Sequence, residues 1–140
     1  MSKVNGIYAA TLSILNDDLS LNINRTIEHA ENVIELGCHG VVFFGSTGQS
    51  QLISLSEKIQ LINNLPNSKN KEKFIIGTGL NSLGDTINLM KIAITNNFNR
   101  FLIMPPAYYK YGDNDVIQFY SKIVDTLPES EIILYNFEKL

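Results

Sequence analysis

Gly40-Val41-Val42-Phe43-Phe44-Gly45-Ser46-Thr47-Gly48-Gln49, residues 40–49, runs from four consecutive β-branched and aromatic residues into a loop of glycines and hydroxyls. A strand that is apolar at every position, rather than at alternate ones, is buried on both faces, as strands of a parallel sheet are. Just downstream, Ser54-Leu55-Ser56-Glu57 has the pattern of a capping box that opens a helix. The stretch therefore reads as one strand–loop–helix unit with its chemistry at the C-terminal end of the strand.

The unit recurs. Further β-rich apolar runs lie at Gly6–Thr11, Phe74–Gly77, Arg100–Met104 and Glu131–Tyr135. With Gly40–Phe44 they start at residues 6, 40, 74, 100 and 131, spacings of one strand–helix repeat. Between them lie stripes at three- and four-residue steps: Ile23, Ile27, Ala30, Ile34; Leu83, Ile87, Met90, Ile94; and Val116, Phe119, Ile123, Leu127. Asp113 is placed to cap the last helix, and Asn67 to Lys73 reads as a polar loop. The predicted order is β-α-β-α-β-α-β-α-β over residues 1–140, without a linker or domain boundary. Two α/β architectures fit. One is an open flavodoxin-like sheet, complete at about this length. The other is a (β/α)8 barrel, which needs about 250 residues and would here be truncated after its fifth strand.

Composition narrows the partners. Of the 140 residues 44% are hydrophobic and 18% charged, with a net charge of −3, so there is no basic footprint for nucleic acid. No apolar run approaches the roughly 18 residues needed to span a membrane, and the polar Met1–Asn5 start shows no signal peptide. Cys38 is the single cysteine and can form no internal disulfide. These features give the expectation of a cytoplasmic protein. His29 and His39 read as structural or surface residues, and with Cys38 they make no metal cluster, so neither metal nor other cofactor is expected.

In both architectures function sits at the strand exits. The second exit, Gly45 to Gln49, can cradle a carboxylate or a phosphate with backbone and hydroxyl donors, although alone it is equally a plain turn. The third exit is Gly77-Thr78-Gly79-Leu80-Asn81, where tight packing at a rim explains the glycines as well as a ligand does. The fourth is Pro105-Pro106-Ala107-Tyr108-Tyr109, and the fifth run ends in Tyr135-Asn136. A phenol held near a base or ligand can relay a proton. After the first strand, Leu12-Ser13-Ile14-Leu15 is a poor phosphate cradle, which counts against a flavodoxin.

Together these four exits resemble the pyruvate-dependent aldolase family that includes dihydrodipicolinate synthase and N-acetylneuraminate lyase. The resemblance runs from Gly6 to Asn136. It rests on Gly45-Ser46-Thr47-Gly48, followed by Leu55 and Glu57; on Gly77-Thr78-Gly79-Leu80-Asn81; on Pro105-Pro106-Ala107-Tyr108; and on Tyr135-Asn136, each at a strand exit and in order. It implies the barrel, and a lyase that condenses or cleaves pyruvate and an aldehyde through a lysine Schiff base, most similar to 4-hydroxy-tetrahydrodipicolinate synthase. It further implies that Ser46 and Thr47 hold the pyruvate carboxylate, that Ser46, Tyr108 and Tyr135 serve catalysis, with Tyr135 relaying protons, and that Tyr108 reaches into a neighbouring subunit of a homo-oligomer.

Departures fall at Ser13-Ile14, where the family commonly has Thr-Pro; at Gln49, for glutamate; at Ala107, for an aromatic; and at Phe137-Glu138, near which a proline is usual. The family's Schiff-base lysine lies on a sixth strand, beyond Leu140. The lysines present are Lys3, Lys58, Lys69, Lys71, Lys73, Lys91, Lys110, Lys122 and Lys139. None ends an inward-facing strand, and most sit on helices or loops where solvent is expected. None of these positions promises the desolvation that activates an amine. The 140 residues alone are therefore expected to be inactive. The competing expectations are a flavodoxin-like binding module and a non-catalytic half-barrel that needs a partner.

Overall fold

The structure, a computed structural model, describes residues 4–136; Lys3, Lys139 and the Phe137-Glu138 pair lie outside the described residues. Five strands form one parallel sheet in the order β1-β2-β3-β4-β5. They are β1 (Tyr8–Ala10), β2 (Gly40–Phe43), β3 (Phe74–Gly77), β4 (Arg100–Ile103) and β5 (Glu131–Leu134). The helices between them are α1 (Ile23–Glu35), α2 (Leu55–Asn64), α3 (Leu83–Thr95) and α4 (Asp113–Thr126). Sequential order excludes the flavodoxin-like alternative, whose sheet reverses its strand order. Each helix packs against the next, α1 on α2, α2 on α3 and α3 on α4. Five sequential parallel strands under consecutive helices are the N-terminal half of a (β/α)8 barrel.

Alternation along the strands gives the sheet two faces. Val41 and Phe43, Phe74 and Ile76, and Phe101 and Ile103 point into the core shared with Ala30, Ile34, Leu61, Ile62, Leu89, Met90, Phe119 and Ile123. Phe43 and Phe74 meet edge to face at 5.1 Å. Each such side chain, fully buried, contributes about 1.5–3 kcal/mol. Val42, Ile75 and Leu102 take the intervening positions and lie outside that core, on the face that is the interior of a barrel. Both β2 and β3 are buried at every position, as their continuous apolarity predicts.

The helix starts follow local chemistry. Asn22 accepts from the Arg25 N–H to cap α1, and Ser82 from the Asp85 N–H to cap α3. The capping box of α2 is present, and Glu57 also accepts from the Leu21 N–H at 2.8 Å, tying the β1–α1 connection to α2. Its hydrogen bond from the Ser54 hydroxyl, then that from Leu21, hold the Glu57 carboxyl below the usual range. Asp113 is not the cap of α4. Gly112 occupies that position, Asp113 is the first helical residue, and Asp115 accepts from the Gly112 N–H at 2.9 Å. Two single-turn helices, Leu65–Asn67 and Lys71–Lys73, take up the two ends of the expected polar loop at Asn67 to Lys73. Among the described residues no helix is long and apolar enough to cross a membrane.

Candidate active site at the strand exits

The second exit is tightly wound. Phe44 leaves β2 with φ 56° and Gln49 ends the loop with φ 49°, left-handed values that a bulky residue adopts only where its surroundings impose them. Between them the Gln49 N–H donates to the Ser46 carbonyl and the Ser50 N–H to the Gly45 carbonyl. Ser13, from the first exit, donates its hydroxyl to the Gly48 carbonyl at 2.7 Å. A Cβ on Gly48 would stand 2.8 Å from the Thr11 carbonyl oxygen, so only glycine permits this contact between the two exits. Ser13, where the family commonly has threonine, thus braces the loop.

The third exit is equally close. A Cβ on Gly77 would lie 2.5 Å from the Phe43 carbonyl oxygen, and one on Gly79 would strike the Ser50 hydroxyl. Gly79 itself has φ 55°. The third and fourth exits are joined by the Ala107 N–H donating to the Asn81 side chain at 2.8 Å. Tyr120 of α4 donates to the Ile103 carbonyl, and burial pushes its phenol up to about 12.

A cavity of about 310 Å³ opens between these exits, lined by Phe44, Gly45, Ser46, Ser50, Gly79 and Tyr135 among others. The Ser46 hydroxyl and the Tyr135 phenol stand 3.1 Å apart across 89 residues of sequence. Thr47 is exposed beside Ser46 on the same loop. The cavity thus joins a donor loop suited to an anion with a phenol suited to proton transfer. Tyr108 stands apart. It is 90% exposed, has φ 89°, and meets Tyr109 edge to face at 5.1 Å. His29 lies on α1, and His39 Nδ1 accepts from the Ile7 N–H at 3.0 Å.

One residue overturns the reading of the lysines. Lys69, Lys71, Lys73, Lys91, Lys110 and Lys122 are exposed, but Lys58 is fully buried. Its ammonium donates to the Thr78 carbonyl at 2.7 Å and lies 5.5 Å from the centre of the Phe44 ring. Burial lowers its pKa from 10.5 to about 8. The signal was in the sequence: Lys58 lies three and four residues before Leu61 and Ile62, on the stripe that turns α2 into the core. With no exposed surface, its ammonium held on a backbone carbonyl and its side chain outside the cavity lining, Lys58 is not placed to attack a ligand of the cavity.

The fold is that of the N-terminal half of a barrel, with its candidate site at the C-terminal strand ends. A model of the Dihydrodipicolinate synthetase family matches residues 3–140, and the chain belongs to that family. It is 28% identical to the 4-hydroxy-tetrahydrodipicolinate synthase of Karelsulcia muelleri (strain GWSS), covering 97% of this chain and 46% of the relative. A crystal structure of YagE, a prophage protein of the dihydrodipicolinic acid synthase family from E. coli K12 in complex with pyruvate, superposes with TM-score 0.85 at 26% identity, covering 96% of this chain and 45% of that one. The 2-keto 3-deoxygluconate aldolase of Picrophilus torridus shares the fold, with TM-score 0.87 at 21% identity, covering 96% and 48%. The chain spans about half the length of the curated relatives it matches.

Proposed function

We propose that these residues form the N-terminal part of a single barrel domain of a pyruvate-dependent lyase, and that this half supplies the carboxylate cradle and the proton relay. The observation that carries the reading is the 3.1 Å contact between Ser46 and Tyr135 at the cavity. On this reading Ser46 and Thr47 donate to the carboxylate of a 2-oxo acid, which fixes its carbonyl carbon near Tyr135. An amine adding to that carbonyl needs a proton delivered to the oxygen, and loss of water from the carbinolamine needs another. Tyr135, hydrogen-bonded to Ser46, is the group placed to pass both. The amine comes from a lysine outside these residues, as the family resemblance implies. Tyr108, turned outward, fits a role in a neighbouring subunit. The family's synthase chemistry, with an aldehyde as second substrate, is the finer reading.

The test reads the coding frame past Leu140 and traps the expressed product with pyruvate and borohydride. The expected result is a reduced adduct on a lysine of a later strand, lost in Tyr135→Phe without loss of fold. A product that takes up pyruvate equally well with Phe at position 135 refutes the relay.

A further inference from the structure

Among the described residues Lys58 is the one charged side chain that is fully buried, and it stands directly behind the cavity wall. Its Nζ would lie 3.5 Å from a Cβ on Gly79. Gly79 and Phe44, the ring beneath the ammonium, both line the cavity. Among the described residues one of its three N–H groups is used, on the Thr78 carbonyl. The Thr78 hydroxyl beside it is buried and finds no partner among the described residues. Among the described residues no carboxylate pairs with the ammonium, and burial is the cause of its lowered pKa. An apolar side chain of the same volume would pack here without the cost of burying a charge. A charge buried at that cost, behind a largely apolar cavity that carries the Ser46, Ser50 and Tyr135 hydroxyls, suits an anion.

We propose that Lys58 is a positioning residue for an anionic ligand of this cavity: through the Thr78 carbonyl it fixes the third exit at Gly79, and its uncompensated charge sets a positive potential behind the Gly45–Gln49 loop. The inference rests on the preceding reading of that loop as a carboxylate cradle. Lys58 touches no reacting atom and forms no bond to the ligand. On α2 the neighbouring Glu57 is turned to Ser54 and Leu21, and Tyr135 is the titratable side chain among those lining the cavity. A unit charge about 12 Å from a bound carboxylate, at an effective dielectric of about 20, changes affinity by about tenfold, and by more at shorter range.

The test measures binding of pyruvate and of acetate, a plain carboxylate, to the chain by NMR, with the backbone amides assigned. Lys58→Met should shift the amides of Thr78 and Gly79, leave those of α1 and α4 in place, and weaken pyruvate about tenfold; Lys58→Arg should recover most of the loss. Unchanged pyruvate affinity in Lys58→Met overturns the proposal and leaves the cradle reading standing. If acetate binds as tightly as pyruvate and both weaken in Lys58→Met, Lys58 keeps its role and the 2-oxo acid reading falls. Failure of both probes to bind the wild type overturns both. Should Lys58→Met not fold, the wild type decides: pyruvate affinity should drop with a midpoint near pH 8 as Lys58 loses its proton, and a flat profile from pH 7 to 9.5 overturns the proposal.

Discussion

Replacing Lys58 by methionine should remove a pH dependence of stability as well as a charge. The stem and its volume are kept, while the buried ammonium is lost. In the folded chain the Lys58 pKa is about 8 against an ordinary 10.5. Below pH 8 both folded and unfolded chains hold the proton, and the wild type carries the whole cost of burying it. Between about pH 8 and 10.5 the folded chain has released the proton and the unfolded chain still binds it, so stability rises with pH. The full gap is worth roughly 3 kcal/mol, of which about 2 kcal/mol falls between pH 7.5 and 9.5. The variant leaves the Thr78 carbonyl unpaired, at a cost of about 1 kcal/mol that does not depend on pH. At pH 7.5 Lys58→Met should therefore be no less stable than the wild type. On raising the pH to 9.5, the wild type should gain about 2 kcal/mol on the variant, about 1 M in urea midpoint for a slope of about 2 kcal/mol/M. The assay is urea unfolding followed by far-ultraviolet circular dichroism, since the chain has no tryptophan. Subtracting the variant cancels every other titrating group. Parallel pH profiles for the two proteins would refute the burial argument.

Gly77→Ala should cost about 3 kcal/mol, because its Cβ meets the carbonyls of Phe43 and Phe44 rather than a movable side chain; a midpoint within error of wild type in urea would show that the two exits are not in contact. Glu131→Gln should cost about 1 kcal/mol and reduce the salt dependence of unfolding, since Glu131 pairs with the half-buried Arg100 at 2.9 Å across the start of β4 and β5. Pyruvate with borohydride should leave no adduct on Lys3, Lys58, Lys69, Lys71, Lys73, Lys91, Lys110, Lys122 or Lys139 of the 140-residue chain, read by peptide mass; an adduct on any of them would move the Schiff-base lysine into this half.

The strands were legible because several are continuous apolar runs, and β3 begins and ends where the run does, at Phe74 and Gly77. The ends of the others were overread for a common reason: the apolar run outlasts the ladder. Phe44 is as apolar as Phe43 but turns into the left-handed region to start the loop. Ile7 gives its N–H to the His39 ring instead of entering β1. The four exits could be read as loops with chemistry, but the meeting of Ser46 with Tyr135 could not. It depends on the order in which strands sit side by side, and strand spacing alone left two orders open. Lys58 was misplaced because lysine on a helix is ordinarily solvated and the two residues before it, Ser56 and Glu57, are polar. Only the stripe Leu61, Ile62 and Leu65, continued backward by one turn, shows that position 58 faces inward.

The cavity draws its walls from the exits of β2, β3, β4 and β5, so the cradle is assembled within these five strands. Closure is a separate matter. A closed barrel has no edge strands, whereas β1 and β5 are the edges of this sheet. Leu134 of β5 is 63% exposed, and Ile117 and Val124 on α4 are exposed as well. Covering that apolar surface would stabilise the fifth strand far more than the first exits, which are already locked by the Ser13–Gly48 and Lys58–Thr78 hydrogen bonds. The two halves of the candidate site thus rest on different supports. The donors of Ser46 and Thr47 are held by contacts internal to β1, β2 and β3, while Tyr135, just past β5, is held through the β4–β5 ladder, where its N–H donates to the Ile103 carbonyl. Anything that completes the sheet beyond β5 would therefore act first on the proposed proton relay and only weakly on the proposed carboxylate cradle.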